Sequence, residues 1–118
     1  MSAKNQSIVI RNATVVNPDS VFVADVRIAN GVIEAIGDGL TGDVVLEAAG
    51  CFISSGFVDL HTHLREPGKE EAETIESGSR AAMLGGFTAV VAMPNTDPAQ
   101  DNVKTVQFVR NRGREVGL

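Results

Sequence analysis

Tryptophan and tyrosine are absent from this 118-residue chain, cysteine occurs once and histidine twice. The lone Cys51 cannot close an internal disulfide, which excludes a disulfide-stapled secreted scaffold. Long apolar runs are also missing: each is interrupted by Asp, Gly or Asn, so no stretch suits a membrane-spanning helix. Positive charge is in deficit, with 10 Lys and Arg against 15 Asp and Glu and a net of -5. That balance argues against a nucleic-acid partner gripped by a general basic surface. The opening MSAKNQSIV has neither the apolar core nor the cleavage site of a signal peptide, so a cytoplasmic location is expected. What is present is globular in kind, because 43% hydrophobic residues exceed what a disordered chain carries.

Before residue 55 the apolar runs are short and β-branched: Ile8 to Ile10, Ala13 to Val16, Val21 to Ile28, Val32 to Ile36, Val44 to Leu46 and Cys51 to Ile53. Asn30-Gly31, between two alternating runs, predicts a type I′ hairpin, which needs positive φ at both central residues. Phe22, Ala24, Val26 and Ile28 form an apolar face opposite the mixed face of Val21, Val23, Asp25 and Arg27. Residues 7 to about 54 read as a small, mostly antiparallel β unit.

After residue 55 the rhythm becomes strand, helix, strand, helix. Gly56 to Leu60 predicts a short buried strand. Glu73 to Leu84 predicts a helix with Ile75, Gly78 and Ala82 on one stripe, stopped by Gly85-Gly86. Thr88 to Met93 is an unbroken apolar run of the kind a parallel sheet buries on both faces. Asp97-Pro98 predicts the N-cap and first position of a second helix, continued by Val103, Val106 and Val109. Two successive βα units imply parallel strands with right-handed crossovers. An α/β barrel takes eight such units and about 250 residues. The chain therefore reads as the front end of something larger, divided into a β-rich segment at 1–55 and two β/α units at 56–118.

The two histidines, His61 and His63, stand one residue apart at the end of the first of these strands. Alternation puts positions i and i+2 on one face, so both imidazoles can converge on one ion. Asp59 and Arg65 continue the same alternation on either side. By spacing alone, the pair could equally cap the strand and bond to nearby backbone, since a catalytic zinc takes three protein ligands. Position adds to the metal reading, because α/β barrels place their active sites at the C-terminal ends of the strands. Asn95, in Met93-Pro94-Asn95-Thr96, follows the next strand and belongs to the same mouth. Glu66-Pro67-Gly68 and Pro94-Asn95 also fit ordinary turn chemistry. Glu70, Glu71, Glu73 and Glu76 read as the solvated first turn of a helix. Arg110, Arg112 and Arg114 read as a solvated helix end, and Cys51 as strand packing.

The stretch Gly56-Phe57-Val58-Asp59-Leu60-His61-Thr62-His63-Leu64-Arg65-Glu66-Pro67-Gly68 resembles the signature of the metal-dependent cyclic amidohydrolases. Its Arg-Glu-Pro-Gly tail is similar to that of dihydroorotases of the longer, type I kind. Glu76 to Ala82, Gly85 to Thr88 and Met93 to Thr96 fit the same family in order and spacing. Ser55 departs from it, standing where the family usually has Pro.

That resemblance implies an α/β fold: the N-terminal portion of a (β/α)8 barrel preceded by half of a small β-sandwich subdomain. It implies a zinc centre of one or two ions, with His61 and His63 as ligands of the more buried one. Arg65 and Asn95 would hold the substrate carboxylate, and Asp59 would orient a ligand histidine or brace the strand. The reaction would be reversible cyclisation of N-carbamoyl-L-aspartate to L-dihydroorotate in pyrimidine biosynthesis, with zinc activating the nucleophile and polarising the carbonyl. The remaining ligands and the catalytic aspartate are expected beyond Leu118, so no catalytic residue is expected in this chain and no activity from it alone. Beyond the small-molecule substrate, the resemblance implies a homo-oligomeric parent and aspartate transcarbamoylase as a partner. An allantoinase or hydantoinase is the nearest alternative, against which Arg65 and the Met93-Pro94-Asn95 turn argue, since a substrate without a carboxylate needs neither. A non-catalytic partner subunit of aspartate transcarbamoylase is a further one. Such proteins tend to lose metal ligands, and both visible ligands are intact here.

Overall fold

β-Branched alternation dominates the first half of the computed structural model, which describes residues 6–116. The chain divides between Ser55 and Gly56 into two compact units. In the first, β1 (Ile8–Asn17), β2 (Ser20–Ala29), β3 (Val32–Gly37), β4 (Val44–Glu47) and β5 (Phe52–Ile53) form one sheet in the order β3-β2-β1-β4, with β5 also on β1. The expected hairpin is there: Asn30 and Gly31 have φ of 53° and 77°, and β2 pairs antiparallel with β3. The apolar face predicted for β2 supplies the core, in which Ala24 and Val26 pack with Val15, flanked by Ile10, Ile28 and Ile53.

Three features of this unit differ from the sequence reading. The runs Ile8 to Ile10 and Ala13 to Val16 are one strand, joined by a bulge at Asn12 (φ 56°), whose amide donates to Asp25 Oδ1 at 2.9 Å. The sheet is mixed rather than mostly antiparallel, because β4 and β5 both run parallel to β1. Cys51 is exposed rather than packed. It lies in the turn before β5, where its backbone rather than its side chain is engaged, donating to Ala48 O and accepting from Thr14 N.

The second unit carries β6 (Phe57–Thr62), α1 (Ile75–Leu84), β7 (Phe87–Ala92) and α2 (Val103–Val116). β6 and β7 pair in parallel, as two βα units require. α1 packs on β7 and α2 on α1. Thr74 caps α1, accepting from Ser77 N at 3.0 Å, so Glu70, Glu71 and Glu73 precede the helix instead of forming its first turn. α2 begins at Val103 rather than at Pro98. Asn102 is its cap, with Oδ1 accepting from Thr105 N at 3.0 Å. Residues 94–100 instead fold back on the end of β7, where Gln100 donates to Pro94 O and Met93 O. The burial expected on both faces of this sheet is not reached. Helical cover among the described residues comes from α1, and Val58, Leu60 and Val91 are exposed. No helix of the described residues is long and apolar enough to cross a membrane.

Candidate metal and substrate site

β6 ends at Thr62, so His61 closes the strand and His63 is the first residue beyond it. Alternation still carries both rings to one side. Their Nε2 atoms are 3.2 Å apart and their ring centroids 5.0 Å apart, edge to face. Two nitrogens that each bind one tetrahedral zinc at about 2.0–2.1 Å stand about 3.3 Å apart, so this pair fits a shared ion. His63 Nδ1 donates to Asn95 Oδ1 at 2.9 Å. In a neutral imidazole that bond keeps the proton on Nδ1 and leaves the Nε2 lone pair facing His61. Among the described residues no third His, Cys, Asp or Glu joins the pair.

Asp59 touches backbone and not a ring: its Oδ1 accepts from the His61 N–H at 2.9 Å, which braces the end of the strand. Asn95 reaches His63 because the loops after β6 and β7 are tied together. Met93 N donates to Thr62 O at 2.9 Å, and Asp97 N to Pro67 O at 3.0 Å. Gly68 lies directly on this junction, where an added Cβ would fall 2.0 Å from the Asp97 carbonyl oxygen.

Arg65 is half-buried between two buried neighbours. Leu64 packs on α1, where a Cβ on Gly78 would lie 2.5 Å from Leu64 Cδ2. The Glu66 carboxylate takes the first amide of that helix, Ile75 N, at 2.8 Å on Oε2, and Arg112 Nε at 3.3 Å on Oε1. No ion pair among the described residues involves Arg65. The sequence reading placed Arg112 in solvent and Glu66 in a turn. Arg112 instead bridges Glu66 and the Glu76 and Glu115 carboxylates, the latter two at 3.7 Å each. Glu66 and Arg112 are 46 residues apart, and no local pattern announces such a pair.

Comparison with known proteins bears on the same stretch. The dihydro-orotase-like family model matches residues 50–118. The dihydroorotase of Pelobacter propionicus is 46% identical over 117 residues, covering 95% of this chain and 28% of that protein. The Mycobacterium tuberculosis dihydroorotase is 53% identical over 98 residues, covering 80% of this chain and 23% of its own. The chain thus spans about a quarter of the length of the curated relatives it matches. Among solved structures, the L-hydantoinase (dihydropyrimidinase) from Arthrobacter aurescens aligns with a TM-score of 0.77 at 23% identity, covering 90% of this chain and 24% of that one. A D-hydantoinase from Bacillus sp. AR9 aligns at 0.73 and 31% identity, covering 89% and 24%. The fold is therefore that of the amidohydrolase barrel enzymes, in part. Since the matched family span takes in more than half of the chain, including β6, β7, both helices and the histidine pair at the end of β6, the chain belongs to the dihydro-orotase-like family.

Proposed function

We propose that this chain is the N-terminal part of a dihydroorotase that interconverts N-carbamoyl-L-aspartate and L-dihydroorotate in pyrimidine biosynthesis. Residues 1–55 are the start of its β-rich subdomain and 56–118 the first two units of its barrel. The observation that carries this reading is the convergence of His61 and His63 on one point, with Asn95 on the far nitrogen of His63. His61 and His63 would hold zinc in a centre of one or two ions. When bound, zinc polarises the carbonyl under attack and makes water a competent nucleophile at neutral pH.

The chain's own residues supply the rest. Arg65 presents a planar fork that matches the substrate carboxylate two-prong. Asn95 does two things with one amide: Oδ1 fixes the His63 tautomer, and Nδ2 donates to the same carboxylate. Asp59 holds the strand end that carries His61. The remaining ligands and the proton-shuttling aspartate come from later strands, and the parent is a cytoplasmic homo-oligomer that associates with aspartate transcarbamoylase. Relatives bearing the name dihydroorotase at 42–53% identity support this over a hydantoinase, whose solved structures are 23–31% identical. Arg65 favours the same choice.

In the full-length enzyme, His61→Ala and His63→Ala should each remove zinc and nearly all dihydroorotate turnover while leaving the circular dichroism spectrum in place. Unchanged zinc content in both variants would return the histidines to strand capping.

A further inference from the structure

Glu66 is a buried carboxylate, 11% exposed, that the proposed reaction does not use. Both of its oxygens are engaged, each with a donor from a different helix. Oε2 accepts the first N–H of α1, and Oε1 accepts Arg112 Nε of α2. Its chain neighbour is Arg65, and the peptide on the other side of Arg65 is pinned by buried Leu64 on α1. Beyond Glu66 the loop is closed by Pro67 O on Asp97 N. Residues 64–67 are thus fixed at three points, and Arg65 is the one side chain among Leu64, Arg65 and Glu66 that is not buried.

We propose that Glu66 is a positioning residue for substrate binding: by anchoring this loop to α1 and α2 it aims the Arg65 guanidinium at the substrate carboxylate. The proposal rests on the dihydroorotase reading above. A guanidinium on a long, flexible stem binds a carboxylate tightly only when its backbone is already in place. Glutamine is a graded substitute, because one carbonyl oxygen can still accept from Ile75 while its amide hydrogens oppose Arg112.

The test is a double-mutant cycle in the full-length enzyme, with zinc content and melting temperature measured for every variant. Glu66→Ala should raise KM for dihydroorotate on the order of ten- to a hundredfold, the scale of a small misplacement of a binding group, with kcat less affected. Glu66→Gln and Arg112→Met should each give a smaller rise. In an Arg65→Met background, Glu66→Ala should add less than about twofold, since the group it positions is already gone. Full additivity in that background, or a lowered melting temperature with KM unchanged well below it, would overturn the positioning role alone. If Glu66→Ala does not fold, the same cycle with Glu66→Gln and with Arg112→Met decides. A wild-type enzyme that contains zinc yet does not turn over dihydroorotate would overturn the reading of function and the positioning role together.

Discussion

On the proposed reading Arg65 and Asn95 both bind the substrate carboxylate, yet Asn95 alone also bonds a histidine of the pair, so the two predict different failures. Arg65→Met keeps bulk and removes only the charge-assisted bonds to the carboxylate, together worth about 1.5–3 kcal/mol. kcat/KM for dihydroorotate should fall roughly ten- to a hundredfold, with zinc content near wild type. Any hydrolysis of dihydrouracil, which lacks the carboxylate, should fall much less. Equal loss on both substrates would place Arg65 in support of the fold instead. Asn95→Ala also removes the acceptor on His63 Nδ1, so zinc affinity should fall too, by about ten- to a hundredfold. Asn95→Asp, which keeps that acceptor, should retain zinc better. A zinc titration that finds the alanine and aspartate variants alike would separate Asn95 from the metal.

At the scale of elements, pattern was legible where it is local. The strands of the first unit and the Asn30-Gly31 turn follow from alternation and from a φ requirement that those two residues meet. The start of α2 did not follow: Asp97-Pro98 carries capping chemistry, but the chain there is held by the end of β7, and Asn102 caps instead. The histidine pair was legible from its i, i+2 spacing, and the loop that carries Arg65 was not. Its anchors, Glu66 with Arg112 and Pro67 with Asp97, join residues 46 and 30 positions apart, beyond any local period. Gly68 tests that junction. Gly31 and Gly68 both have positive φ, 77° and 101°, but a Cβ on Gly31 meets nothing within 4 Å, whereas one on Gly68 meets the Asp97 backbone. Alanine at either should cost about 1–2 kcal/mol of backbone strain. Gly68→Ala should cost clearly more, seen as the larger drop in melting temperature, and equal drops would mean that the two loops do not pack as described.

Across the whole molecule, acid response is set by carboxylates that accept backbone donors. The Asn12 amide holds the Asp25 carboxyl below the usual carboxylate range, outweighing burial, which pushes the other way, with the Leu40 amide assisting. The Ser7 amide and hydroxyl do the same for Asp43. Groups depressed in the folded state stabilise it above their unfolded value and lose that contribution as pH falls through the folded one. Melting temperature should therefore hold down to about pH 4 and decline below it. Asp25→Asn satisfies only one of the two amides, so it should melt lower at neutral pH and decline less steeply in acid. An acid limb parallel to wild type would remove Asp25 from this role. The two sides of β1 also differ in how they come apart. One side is paired from Ile8 to Asn17 with β2, its neighbour in the chain, while the other is shared between β4 and β5, strands of four and two residues. Opening the second side breaks few ladder bonds and frees a long stretch of chain, so hydrogen exchange should begin there and reach the β1–β2 hairpin amides last.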